Sequence, residues 1–186
     1  MLKKMRGFTL IEMLIVVAII GILAALLIPN AMSALQKAKQ KGTVKDVNTI
    51  ATGCMDYVTD HGSAPAHEGQ ITGSTDDFVT ALQGMYVKVF PLKDQWGNYF
   101  VVNTRDSITT NFGITLASGE QAGADDFVIG SYGRDGKESG PTYSIDDPSA
   151  GLYEVTTMKD FNNDIANWNG NLVVGPKTIG GGTSGT

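Results

Sequence analysis

Residues 1–30, MLKKMRGFTLIEMLIVVAIIGILAALLIPN, decide how the rest of the chain is read. They hold a basic leader (Lys3, Lys4, Arg6) ending at Gly7, an apolar run from Phe8 to Ile28, and one carboxylate inside that run, Glu12. At about 1.5 Å per residue the run makes a helix roughly 30 Å long, enough to cross the hydrocarbon core of a bilayer. It is longer than the apolar core of a secretory signal, about 7–15 residues, and Ala31-Met32-Ser33 beyond it is a weak cleavage site. A plain anchor accounts for the run but not for Glu12. A carboxylate in a spanning helix costs a few kcal/mol, and this helix offers it no Lys, Arg or His. Its partner has to be another chain, the chain's own amino terminus, or a proton. Cleavage after Gly7 would leave an α-ammonium on Phe8, one helical turn from Glu12, and packed copies could then neutralise one another.

Gly7-Phe8-Thr9-Leu10-Ile11-Glu12 behind a basic leader resembles the cleavage motif of type IV pilins and of the pseudopilins of type II secretion systems. The resemblance implies cleavage after Gly7 by a prepilin peptidase and N-methylation of Phe8. It also implies polymerisation through the N-terminal helix, with Glu12 meeting the Phe8 amine of a neighbour. Pro29 falls where many relatives carry a helix-bending proline; by itself it removes a backbone hydrogen bond and kinks or ends a helix. Gly21 is a second weak point.

The 186 residues leave room for one domain after the anchor. That remainder is rich in Gly, Asp, Asn and Thr, which suits a loop-rich extracytoplasmic body. The formal charge is -5, and losing the leader's three cations makes it more negative, against a nucleic-acid surface. Lys37, Lys39, Lys41 and Lys45 compete with the leader under the positive-inside rule, so charge leaves orientation open. The resemblance puts the N-terminus in the cytoplasm and the body in the periplasm, anchored in the inner membrane. Cys54 is alone, which excludes an intrachain disulfide and a cysteine-built zinc site.

Val44, Val47, Ile50, Ala51, Cys54, Met55 and Val58 recur at helical spacing, so one long helix is expected from about Thr9 to Asp60, apolar all round and then amphipathic. Cys54 is expected as a buried thiol within that stripe. Residues 62–73 read as loop, with His61 and His67 as solvated histidines. Ser74 to Asp77 offers an N-cap for a short helix over Phe78–Leu82. Tyr86–Pro91 reads as a strand or an extended link. Tyr99–Val102, Asn111–Ala117 and Asp126–Ser131 read as strands, with a turn over Ser118–Ala124. Asn169-Gly170 is a tight-turn pair before a last strand at Leu172–Val174. The expected fold is α+β: a long N-terminal helix, anchor plus amphipathic half, packed on a small antiparallel sheet with long C-terminal loops, as in pilins. The expected segments are a leader (1–7), a transmembrane and filament-core helix (8–29), its amphipathic half (30–61), a globular domain (62–179) and a flexible tail (180–186).

Two body segments sharpen the resemblance toward major pseudopilins: Asp94, Trp96, Gly97, Asn98 and Tyr99 match D-x-W-G-N-x-Y, and Ser131, Gly133, Asp135 and Gly136 match S-x-G-x-D-G. The second implies a calcium ion held by Ser131, Asp135, Asn163 and Asp164. Calcium takes six to eight oxygen ligands, and glycines let carbonyls converge on it. Asn163 stands where an Asp is frequent, lowering ligand charge, and the stretch 137–159 is long for the family. Read without the resemblance, these residues make a solvated Asp/Gly turn and an Asn-rich turn.

No Ser/His/Asp arrangement or glycine-rich phosphate loop nominates an enzyme. The expected function is structural: a subunit of an extracytoplasmic filament, the major pseudopilin of a type II secretion system. Its implied partners are further copies, the prepilin peptidase, minor pseudopilins, an inner-membrane assembly platform with an ATPase on its cytoplasmic side, and the membrane. The alternatives are a surface type IV pilin and a membrane-tethered calcium-binding module.

Overall fold

The computed structural model describes residues 8–117 and 120–177, so the leader with Gly7 and the 180–186 tail lie outside the described residues. Helix α1 spans Leu10–His61 without a break at Gly21 or Pro29. The chain forms two compact units, Met1–Lys37 and Ala38–Thr186, and α1 contributes to both.

In the first unit, α1 has an 18-residue window apolar enough to cross a membrane, none of it buried. Leu10, Ile11, Leu14, Val17, Ile20, Leu23 and Leu27 are all exposed. In the second unit, α1 buries Val44, Val47, Ile50, Ala51 and Cys54, the stripe expected from their spacing. Cys54 is fully buried, and burial pushes its thiol up to about 12, which makes it inert near neutrality.

Six strands follow: β1 (Glu68–Gln70), β2 (Val101–Thr104), β3 (Phe127–Ser131), β4 (Leu152–Tyr153), β5 (Ile165–Trp168) and β6 (Asn171–Pro176). Their spatial order is β1-β2-β3-β5-β6-β4. All neighbours are antiparallel except β4, which pairs parallel to β6. The sheet is therefore mixed, not purely antiparallel. The parallel edge comes from the long 137–159 stretch, which returns to cover β6. Asn169, at φ 48, and Gly170, at φ 87, make the tight β5–β6 turn; two successive positive φ angles define the type I′ hairpin that Asn-Gly favours.

Alternation along the strands feeds two cores. Val102, Phe127, Ile129 and Ile165 pack toward the α1 stripe, together with Phe78, Val79 and Leu82 of α2 (Asp77–Leu82). Val101, Val128, Ala166 and Val174 face the other side, against Ile108, Phe112 and Ile114. This second layer corrects the reading of Asn111–Ala117 as a strand. Phe112 and Gly113 have φ of 63 and 55, two successive left-handed residues that turn the chain out of extended geometry, so the segment lies over the sheet as a loop whose apolar side chains serve as a lid. Only one bridge, Thr115 to Ser144, marks its extended part.

Other expectations shift for identifiable reasons. Tyr86–Val89 is not a strand: residues 84–86 form a turn in which the Tyr86 and Val87 N–H groups donate to the Leu82 carbonyl at 3.1 and 2.9 Å, and Val87 bridges Gln83. β2 starts two residues after Tyr99, which instead bridges Lys93 across the preceding turn. β1 was not expected because Glu68-Gly69-Gln70 has no apolar alternation; the edge is built by backbone pairing to β2. His67 is not a solvated loop residue. Its side chain is 11% exposed, its Nδ1 lies 2.9 Å from the Val102 carbonyl oxygen, and its Nε2 lies 3.2 Å from Asp76 Oδ1. Asp76 is there because it caps α2, accepting from the Phe78 N–H.

Candidate functional site: the processing end and two docked loops

At the start of α1, Thr9 and Glu12 close on each other. The Thr9 N–H and hydroxyl both donate to Glu12 Oε2, at 2.9 and 2.7 Å, and the Glu12 N–H reaches Thr9 Oγ1 at 3.3 Å. This is the reciprocal capping box of a T-x-x-E sequence, a signal present in residues 9–12 but not drawn from them above. Within a single subunit Glu12 thus has a local partner, whereas charge alone pointed only to another chain, an amino terminus or a proton. Phe8 and Glu12 are both exposed, so the carboxylate stays open to a cation from outside the subunit. Gly7 lies outside the described residues.

In the body, the two family-like segments form one unit. Asp94 is 5% exposed. Its Oδ1 accepts from the N–H groups of Trp96 and Asn98, both at 2.9 Å, closing the turn on itself. Its Oδ2 accepts from the Ser131 hydroxyl at 2.7 Å, and Asn98 Nδ2 donates to the Gly133 carbonyl at 2.8 Å. The turn also grips α1: the Gln95 N–H donates to Thr43 Oγ1 and Gln95 Nε2 to Asp46. Asp94 ties the turn to the end of β3, and Gln95 beside it ties the turn to α1.

The loop after β3 docks on the loop before β5. The Arg134 N–H donates to the Phe161 carbonyl, the Ser139 hydroxyl to the Asn162 carbonyl, and the Asp164 N–H to the Ser139 carbonyl. A Cβ on Gly133 would lie 2.5 Å from the Asn162 carbonyl oxygen, so only glycine permits this approach. The ring of Tyr153, from β4, seals the same place. Its hydroxyl accepts from Gln40 Nε2 on α1 and lies 3.3 Å from the Asp164 carbonyl oxygen. The long 137–159 stretch therefore locks α1 to the loop pair.

The four calcium candidates divide. Ser131 is buried and donates to Asp94. Asp135 is exposed, accepting from the Lys137 N–H at 3.2 Å, and the Asn163 carbonyl faces Tyr153. Asp164 is 3% exposed; Oδ2 accepts from the Ser139 N–H while Oδ1 is buried without a hydrogen-bond partner. Burial pushes its carboxyl up to about 8 against the Ser139 hydrogen bond, with Glu138 and Asp135 adding to the rise. Among the described residues no three His, Cys, Asp or Glu side chains stand ready as a metal cage. The feature that fits a hard cation is the unpartnered Oδ1 of Asp164, a costly group unless something positive meets it.

Comparison with known proteins agrees with this anatomy. Residues 2–28 match the prokaryotic N-terminal methylation motif. The chain is 32% identical to type II secretion system core protein G of Vibrio cholerae over 145 residues, which span 74% of this chain and 90% of that protein. It is 32% identical to the Pseudomonas aeruginosa protein of the same name, over 77% of this chain and 94% of that protein. For the Dickeya chrysanthemi counterpart the figures are 27% identity, 90% and 88%. No solved structure matches significantly. A methylation-type N-terminus, joined to a body alignable along nearly the whole length of these relatives, makes the chain a member of the type II secretion system core protein G family, the major pseudopilins.

Proposed function

We propose that this chain is cut after Gly7 by a prepilin peptidase, methylated on Phe8, and polymerised from the inner membrane into a periplasmic filament that drives protein secretion. The observation that carries the proposal is the exposed apolar half of α1 with Glu12 near its start. An uncovered apolar rod is held by a bilayer or by other copies of itself. The Thr9–Glu12 box keeps the carboxylate capped while the subunit waits in the membrane. In the filament, the Phe8 ammonium of a neighbour competes for it and neutralises the charge within an apolar bundle. The folded body, joined by minor pseudopilins and an inner-membrane assembly platform, gives the filament its acidic outer surface. Mass spectrometry of the protein from its native envelope tests this: a mature chain starting at methylated Phe8 is expected, and an intact Met1 would refute processing.

Calcium belongs to the same proposal. Asp164 and Asp135, with Ser131 and Asn163 beside them, would hold it between the two docked loops. Bound there, the ion supplies positive charge to a buried carboxylate, and its binding energy adds to stability. Asp135→Ala is expected to lower the melting temperature in calcium and to abolish the calcium-induced rise. A protein whose melting ignores both calcium and chelator removes the metal.

A further inference from the structure

The second unit leaves one long face of α1 exposed, met by Asn167 at Asn48 and by Tyr86 at Asp60, and its charges are sorted by position. Lys41, Lys45, Asn48, Thr49, Thr52, Asp56 and Asp60 are all exposed. At 100° per residue they fall within an arc of about 120°. The two lysines come first, the uncharged Asn48, Thr49 and Thr52 follow, and the two aspartates come last. Lys41, Lys45, Asn48, Thr49 and Thr52, with Val44, line a shallow groove of about 340 Å³. Among the described residues the one ion pair is His67–Asp76, so neither lysine nor Asp56 is paired within the subunit. Asp60 accepts one hydrogen bond, from the Tyr86 hydroxyl, and keeps its second oxygen for another donor.

The spacing is the same for both pairs: Lys41 to Asp56 and Lys45 to Asp60 are each fifteen residues apart. We infer that this face is a register device between copies, in which Lys41 and Lys45 of one subunit meet Asp56 and Asp60 of the next, parallel helix alongside. The inference rests on the filament reading above and names the contact that sets its axial step. Fifteen residues correspond to an offset of about 22 Å along α1. At that offset two attractive pairs form together. At zero offset lysines face lysines and aspartates face aspartates, which is repulsive. The contact is heterologous: the first subunit keeps its aspartate pair free and the second its lysine pair, so the arrangement propagates. The occupant is a second copy because the complement of each charged half is the other half of the same stripe.

Charge reversal in the full processed chain tests this, with melting temperature confirming that each variant folds. Lys41→Glu with Lys45→Glu, or Asp56→Lys with Asp60→Lys, is expected to raise the concentration needed for assembly by about tenfold, since two exposed pairs of modest strength are lost. Mixing the two double variants is expected to restore co-assembly. A second readout uses chains carrying Lys45→Cys mixed with chains carrying Asp60→Cys, both in a Cys54→Ala background, joined by a short thiol–thiol linker in assembled filaments. Linkage there, repeated for Lys41 with Asp56, supports the parallel offset. Linkage of Lys41 to Asp60 instead shows an antiparallel pair and overturns it, as do normal filaments from either double variant. An unaltered chain that keeps its leader and forms no filaments defeats the filament reading itself, a result distinct from selective failure of the charge variants.

Discussion

The same helix meets two different solvents. Between Leu10 and Lys37, α1 exposes Leu, Ile and Val on every side; between Ala38 and His61 it buries one stripe and leaves its lysines, aspartates and threonines to water. The second half is explained by its own subunit: Val47, Ile50 and Cys54 fit against the sheet. The first half has no such partner, so its apolarity is addressed to something outside the subunit. The contrast separates folding from assembly along one element. A substitution in the first half should alter what the chain joins, and one in the second half whether the body holds together.

The largest expected effect comes from crossing that divide at Glu12. Glu12→Val removes an exposed carboxylate whose hydrogen-bond partner among the described residues is Thr9, so the body should melt as before while filament yield collapses; normal filaments from the variant would sink the charge pairing. The mirror experiment is Ile50→Ala, at a fully buried position. It should cost about 2–5 kcal/mol in denaturant unfolding, whereas Ile20→Ala at an exposed position should leave the body's unfolding unchanged. Next comes Asp94→Ala. It strands the Trp96 and Asn98 N–H groups and the Ser131 hydroxyl, and about 3 kcal/mol of stability should go with them. If Asp94→Ala unfolds at the same denaturant concentration as the parent, the turn is decoration rather than a tie between α1 and β3.

What could be read beforehand follows from how local each signal is. The anchor, the amphipathic stripe and the Asn169-Gly170 turn are set by contiguous residues with a strong period or a special backbone demand, and all three can be read from the letters. β5 could not: Ile165-Ala166-Asn167-Trp168 carries a polar residue that is fully buried, because Asn167 Nδ2 donates to Asn48 Oδ1 on α1, 119 positions earlier. β1 and β4 are short polar edges that exist only once a neighbouring strand offers its backbone. Phe112 and Ile114 alternate like a strand, yet their partners lie on the sheet's far face, and alternation cannot distinguish a strand from a lid. At the site, the motif residues were identifiable one segment at a time. Their docking through Asp94, Asn98 and Tyr153 was not, because those contacts join loops far apart in sequence.

The smallest expected effect is one of pH, and it lies wholly in the packed half. Burial disfavours the Asp76 carboxylate, but the Thr72 N–H, the facing His67 and the Phe78 N–H outweigh it, so the carboxyl is held below the usual range. A lowered folded-state pKa means the unfolded chain takes up a proton first as acid is added. The stabilisation is therefore complete above the ordinary aspartate value, near 4, and is lost as pH falls through the lower folded value. Asp76→Asn keeps an N-cap acceptor but loses the charge that meets Thr72 and His67, so it should flatten that acid limb and cost about 1 kcal/mol at neutral pH. Acid titration of both proteins by circular dichroism checks it. An acid limb unchanged by Asp76→Asn would mean that His67 and Asp76 meet without coupling, and that the acid sensitivity of the body resides in other carboxylates.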